Sequence, residues 1–211
     1  MKNSFSHPDH FIAFIHSIFE LRNSQKNHWL KTGVFATTSE KGVPSARMVV
    51  VRGVNEKLAI EIHTDSRSNK VLDLQKNPQA EILFYDPLTE IQLKCFGVAK
   101  IIHTGPLADA AWEKVPESSK KQYTSLLAPG TVIENTAAVE YRSISHFCII
   151  TLETQGIEYL KLGNPHQRIR WSLKKWRRDF RKFSALILRI QYAYQPSKPP
   201  ALATSWYLKY L

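Results

Sequence analysis

The run Asp65-Ser66-Arg67-Ser68-Asn69-Lys70, with Arg47 and Arg52 before it, holds the hydroxyls and cations whose types and spacing best suit the capture of an anion. All of them fall within one stretch, PSARMVVVRGVNEKLAIEIHTDSRSNK, from Pro44 to Lys70. A guanidinium presents a planar fork to a phosphate, and an ammonium presents a compact point charge. The hydroxyls of Thr64, Ser66 and Ser68 lead into Val71, Leu72 and Leu74, which recur at helical spacing before Asn77-Pro78. The helix so predicted, residues 69–75, starts where the cations gather. Its first N–H groups lack partners and its dipole end is positive, so it favours a phosphate. Arg47 and Arg52 on the neighbouring strand can supply bidentate partners to the same anion. The plainer alternative is a solvated charged turn whose Arg47 and Lys70 make weak surface ion pairs.

The elements that must hold these groups are strands. Residues 46–54 and 58–64 are rich in β-branched side chains, with Asn55-Glu56-Lys57 as the turn between them. Residues 33–38 (GVFATT) predict an earlier strand, and Ser39-Glu40-Lys41-Gly42 a hairpin turn into the motif. Residues 80–85 and 91–102 predict a further hairpin through Asp86-Pro87-Leu88-Thr89. In the second of these strands alternation separates Ile91, Leu93, Cys95 and Gly97 from Gln92, Lys94, Phe96 and Val98, and Gly97 marks a bulge or close approach. Residues 10–21 predict an amphipathic helix with Phe11, Phe14, Ile15, Ile18 and Phe19 on one face. Residues 106–114 and 118–127 read as two helices, 131–145 as an exposed loop, and 146–152 and 156–162 as closing strands. Met48, Val49, Val50 and Val51 read as core. The fold class expected is mainly β with flanking helices, a barrel of short antiparallel strands.

Arg47-Met48-Val49-Val50-Val51-Arg52 resembles the Arg-x-Val-Leu-Leu-Lys motif of the pyridoxamine 5′-phosphate oxidase family, the FMN-binding Greek-key split β-barrels. That family's Tyr/Phe-Thr and Ser-Arg-Lys places are held here by His63-Thr64 and Ser68-Asn69-Lys70. Its Asn-Pro-x-Ala and Arg-Gln-Val segments are matched by Asn77-Pro78-Gln79-Ala80 and Ile91-Gln92-Leu93. Order and spacing agree from about Gly33 to Ile102.

The resemblance implies an FMN-dependent oxidoreductase, a homodimer with FMN at its interface, and a small-molecule substrate. Arg47, Ser68 and Lys70 would hold the phosphate, with Asn69 replacing a family Arg. Met48, Val49 and Val50 would lay backbone along the ring, and Arg52 would take the family's Lys position near it. His63 and Thr64 would contact the ring or ribityl chain. Gln92, with Ser118 or Ser119, would reach the flavin from the second subunit. The substrate-phosphate residues of true pyridoxamine 5′-phosphate oxidases are replaced: Val115-Pro116 stands where one Arg is expected, and His166 and Arg168 where the family has Arg and His. The implied activity is therefore that of a wider-family oxidoreductase, not a vitamin B6 oxidase.

The net charge of +11 is confined to one end. Residues 1–160 balance 17 basic against 17 acidic side chains, while the last 51 residues hold 12 basic residues and the single acid Asp179. The expected division is a split-barrel domain over 1–162 and a basic, divergent segment over 163–211. A rival function follows from that segment: Trp171 to Arg178, read at helical spacing, gives a cationic face for nucleic acid or another anionic surface. Related barrels also accept deazaflavin or haem, for which His63, His103 and His146 are candidate ligands. Cys95 and Cys148 sit apart in apolar stretches, without metal-ligand spacing, and read as buried free thiols of a cytoplasmic protein. The opening residues lack a signal-peptide layout, and no apolar run is long enough to span a membrane.

Overall fold

The computed structural model describes residues 8–135, 139–163 and 167–172. Seven strands form one antiparallel sheet: β1 (Thr32–Thr38), β2 (Pro44–Val54), β3 (Ile60–Asp65), β4 (Gln79–Asp86), β5 (Ile91–Ile102), β6 (Phe147–Lys161) and β7 (Gln167–Ser172). Their order is β3-β2-β1-β4-β5-β6-β7, and β3 also pairs with β6. Six strands therefore close into a ring, which removes free sheet edges within it, and β7 attaches to β6 outside the closure. Two features of β6 explain this split. Its first half pairs with β3 through residues 147–152, and its second half pairs with β7 through residues 156–161. Between them Gln155 is an extra residue, because β5 pairs Phe96 with Gly156 and then Gly97 with Thr154. A bulge bends the strand it interrupts, so β6 changes its second neighbour at Gln155. The stretch expected to separate two strands is instead one continuous strand with this bulge. Gly97 sits opposite, as its sequence position anticipates.

The core is built as alternation dictates. Phe35, Ile60, Ile62, Ile82, Phe84, Leu93, Cys95, Ile150 and Leu152 point inward and are fully buried. Helix α1 (Pro8–Ser24) buries Phe11, Ile15 and Phe19 against that core, with Phe11 edge-on to Tyr159 at 6.2 Å and 6.3 Å from Trp171. Each such burial contributes about 2 kcal/mol. Trp171 is a strand residue packed under α1, so a helix does not begin there. His166 and the residues from 173 onward, Trp176 among them, lie outside the described residues. No helix among the described residues is long and apolar enough to cross a membrane.

Three further expectations are revised. Leu58 does not open β3; it closes the turn in the left-handed region at φ 57°, with a buried side chain and its carbonyl accepting from Thr154 Oγ1 at 2.6 Å. After α2 (Asn69–Lys76) and α3 (Pro106–Glu113), the helix expected over 118–127 is only α4 (Glu117–Lys120) and a 3₁₀ turn at Lys121–Tyr123. The chain then leaves helical geometry, with Ser125 bridged to Tyr141. Finally, Val49 and Val51 are core, but Met48 is 64% and Val50 45% exposed. They project from the outer face of β2, where Val34, Leu83 and Tyr85 continue an apolar strip across β1 and β4.

Candidate cofactor-binding site

The site is built where β3 passes into α2. Ser68 stands at the N-cap of α2 but makes no side-chain cap hydrogen bond; its hydroxyl lies 3.3 Å from Thr64 Oγ1. Lys70, on the first turn, folds back and donates from Nζ to Thr64 Oγ1 at 2.8 Å. Arg47 reaches the same place from β2. Its Nη1 donates to Thr37 Oγ1 at 2.7 Å and to the Phe35 carbonyl at 3.3 Å, and its Nη2 donates to Ser45 Oγ at 2.7 Å. Asp73 of α2 stands 3.7 Å from Arg47 Nη2 and accepts from Thr37 at 2.7 Å.

Burial lowers the Lys70 pKa, and the neighbouring Arg47 guanidinium lowers it further. Arg47 is lowered by burial, partly offset by Asp73. Among the described residues no carboxylate lies within ion-pair distance of Lys70 Nζ. Two cations are thus held together at a helix N-terminus with one shared-side carboxylate, a net positive site that an anion would relieve. Thr64 and Ser68 are 7% and 3% exposed, so their hydroxyls are already fixed in place. The donor set fits a phosphate ester.

A pH dependence follows. The anion binds the protonated lysine, so affinity for a phosphate ester should fall as pH rises through the lowered Lys70 pKa, earlier than for an ordinary lysine. Lys70→Arg should flatten that profile. Titrations of FMN against riboflavin, which shares the ring but lacks the phosphate, isolate the effect.

The other expected residues are placed differently. Arg52 is exposed on β2 and makes no hydrogen bond or ion pair with the Arg47–Lys70 group among the described residues. Asn69 is exposed at the first position of α2. His63 faces away from Thr64, as strand alternation requires. Its Nε2 stands 2.8 Å from Glu61 Oε1, and its ring lies edge-on to Phe147 at 4.8 Å. The bond to His63 holds the Glu61 carboxyl below its usual range despite burial. Trp112 and Tyr123 complete this aromatic cluster. Gln92 lies on the outer face of β5, paired with Tyr85 and Leu160, and two strands separate it from β2. Ser119 is half-buried in α4.

Arg67 has a role its sequence neighbours obscure. It turns from the cation group and grips Asp65 through Nη2 at 2.7 Å and Nε at 3.1 Å. It also donates to the carbonyls of Ser125, Leu126 and Leu127 at 2.9, 3.0 and 3.3 Å. Those carbonyls are drawn toward Arg67 and not into helical bonds, which is why the helix after Ser118 is short. Asp73 and Thr37, the partners of Arg47, carry no motif of their own.

Comparison with known proteins agrees with this geometry. Residues 10–103 match the family described as pyridoxamine 5′-phosphate oxidase, FMN-binding domain. A pyridoxine/pyridoxamine 5′-phosphate oxidase of Acinetobacter baumannii is 37% identical over 103 residues, 44% of this chain and 47% of that protein. One from Legionella pneumophila is 32% identical over 96 residues, 46% of this chain and 43% of that protein. The chain thus spans about half the length, or less, of the curated relatives it matches. Two solved structures share the fold. A pyridoxamine 5′-phosphate oxidase-related, FMN-binding protein from Nostoc punctiforme has a TM-score of 0.66 at 22% identity, over 84% of this chain and 96% of that one. PhzG from Burkholderia lata, solved with tetrahydrophenazine-1-carboxylic acid, has a TM-score of 0.65 at 18% identity, over 89% and 94%. Residues 10–103 thus match the FMN-binding domain of the pyridoxamine 5′-phosphate oxidase family, and the closed ring of strands has the split-barrel fold of the Nostoc punctiforme protein.

Proposed function

We propose that this chain binds FMN as a homodimer and is an oxidoreductase acting on a small molecule other than pyridoxamine 5′-phosphate. The observation that carries the reading is the Arg47–Lys70 pair at the start of α2, with the fixed hydroxyls of Thr64 and Ser68 beside it. These four side chains would hold the FMN phosphate, and Asn69 would add a neutral donor where charge is the family pattern. Backbone of Met48, Val49 and Val50 would border the ring, with Arg52 and His63 at its margins. Bound FMN supplies a two-electron acceptor. The chain's own residues bind it, orient it and exclude water.

The outer strip of Met48, Val50, Val34, Leu83 and Tyr85 supports the dimer, because an apolar sheet face of this kind calls for a cover. Gln92 lies on that same face, where it would serve the partner's flavin, as would Ser119 from its short helix. Two buried free thiols suit a reducing compartment such as the cytoplasm.

The exclusion of pyridoxamine 5′-phosphate rests on what replaces the substrate-binding cations. Val115 is a buried aliphatic side chain, and Arg168 is committed to Glu158 at 2.8 Å. A site that lacks a bidentate arginine holds a phosphate dianion weakly. Turnover of pyridoxamine 5′-phosphate by FMN-loaded protein should fall at least about a hundredfold below that of a dedicated oxidase, the cost of two lost charged contacts. Comparable turnover would refute the distinction. The cofactor itself is tested by the absorption spectrum of the purified protein before and after FMN addition. Flavin bands retained through gel filtration are expected; a colourless protein that ignores FMN overturns the proposal.

A further inference from the structure

Helix α1 exposes Leu21 and buries Arg22, the reverse of what side-chain polarity favours. Arg22 is 7% exposed at the last turn of α1. Its Nη2 donates to the Val51 carbonyl of β2, and its Nη1 donates to Asn23 Oδ1 at 2.9 Å. Nε is buried without a partner, and no carboxylate stands within ion-pair distance among the described residues. Burying a guanidinium so poorly compensated is costly, and a methionine would fill the same space without that cost. What the charge supplies is a hold on Val51.

That hold falls at an irregularity in β2. β2 and β3 pair Val51 with Ile62 and then Gly53 with Glu61, so Arg52 is an extra residue. A bulge re-aims the side chain it carries. Arg52 leaves the strand exposed, without an intrachain partner among the described residues.

We infer that Arg22 is a positioning residue: by gripping the Val51 carbonyl it fixes the bulge at Arg52, and so sets the direction in which Arg52 meets the ring end of the cofactor. The inference rests on the FMN reading, and it makes α1 a part of the site from behind the sheet. Arg22 touches neither phosphate nor ring.

The test compares Arg22→Met, Arg52→Ala and the double variant in the full chain. Each is titrated with FMN and with riboflavin, and amide hydrogen exchange is followed at residues 52–54. Arg22→Met should weaken both flavins by the same factor, about tenfold, the loss expected for one charged hydrogen bond. Exchange at 52–54 should accelerate more than in the remainder of β2. In the Arg52→Ala background, Arg22→Met should cost no further affinity, since contacts that act through one another are not additive. Arg22→Lys, which keeps a donor and the charge, should recover part of the loss and guards against a variant that simply fails to fold. Unchanged flavin affinity in Arg22→Met, or losses that add to those of Arg52→Ala, overturn the inference. Wild-type protein that binds neither flavin overturns the cofactor reading instead, and the exchange rates then decide the link between Arg22 and the bulge separately.

Discussion

Lys70→Met should weaken FMN about ten- to a hundredfold while leaving the free protein at least as stable as wild type. The two effects have opposite signs because, on the proposed reading, Lys70 would serve a ligand and not the fold. In the free protein its ammonium is desolvated and repelled by Arg47, with only the Thr64 hydroxyl in return. The sign of the linkage is set by that lowered pKa. The penalty is fully present below the folded-state pKa and disappears as pH rises toward the unfolded value, so removing the charge relieves the fold at neutral pH. A bound phosphate reverses the balance, since a charge-assisted contact contributes about 1.5–3 kcal/mol. Arg47→Ala should cost a similar affinity, and the pair together roughly 100- to 1,000-fold. Arg47→Ala should also lower stability slightly, because Arg47 ties β2 to Phe35, Thr37 and Ser45. Riboflavin affinity should hardly move in either variant. Fluorescence titrations beside thermal melts check this; equal losses for both flavins would mean that these cations do not meet the phosphate.

Gly97→Ala should destabilise the protein by about 3 kcal/mol, near the upper end of what overpacking costs. A Cβ at Gly97 would stand 2.0 Å from the Glu153 carbonyl oxygen and 2.8 Å from the Gln155 amide nitrogen. Both are backbone atoms of β6 at its bulge, so no rotamer can relieve the clash and the strand must move. That is also the point at which β6 exchanges β3 for β7, so the shift strains the closure of the ring. For a chain of this size the melting temperature should drop by about 6–12 °C. Gly53→Ala is the control. There a Cβ would meet only Glu61 Cβ, at the ordinary distance of 3.8 Å, and a small gain from a stiffer unfolded chain is expected. Thermal melts on the three proteins decide it, and a Gly97→Ala protein that melts with wild type would show that β6 yields freely.

The strands were legible because burial enforces a period of two. β5 runs from Ile91 to Ile102 as read, and its buried residues are the odd-numbered set from Leu93 through Ala99. Where alternation is interrupted, the sequence misleads. Glu153-Thr154-Gln155-Gly156 has the composition of a turn, yet one extra residue inside a long strand has that composition too. The run Met48-Val49-Val50-Val51 is apolar at every position, which describes a strand covered on both faces, yet within this chain only Val49 and Val51 are covered. The cation group was half legible. Ser68 and Lys70 announce themselves at a helix start, and Arg47 joins them through pairing of distant strands. Arg67, beside them in sequence, is diverted by Asp65 and three carbonyls that lie 58 to 60 residues further on. Arg22 gave no sign at all. A basic residue in the last turn of a helix is ordinarily a solvated partner of the dipole, and only the strand laid against it shows otherwise.

Both thiols of the barrel are sealed. Cys95 and Cys148 are wholly buried, and burial pushes each thiol up to about 12. Cys148 pairs across the sheet with Thr64 and feels the charge of Lys70, so it lies directly behind the cation group. A flavin reoxidised by dioxygen releases hydrogen peroxide, which attacks thiolates and spares thiols. The same close packing that closes the ring therefore insulates both thiols, so a peroxide-producing centre beside Cys148 would spare them and leave the exposed thioether of Met48 as the sulfur open to attack among the described residues.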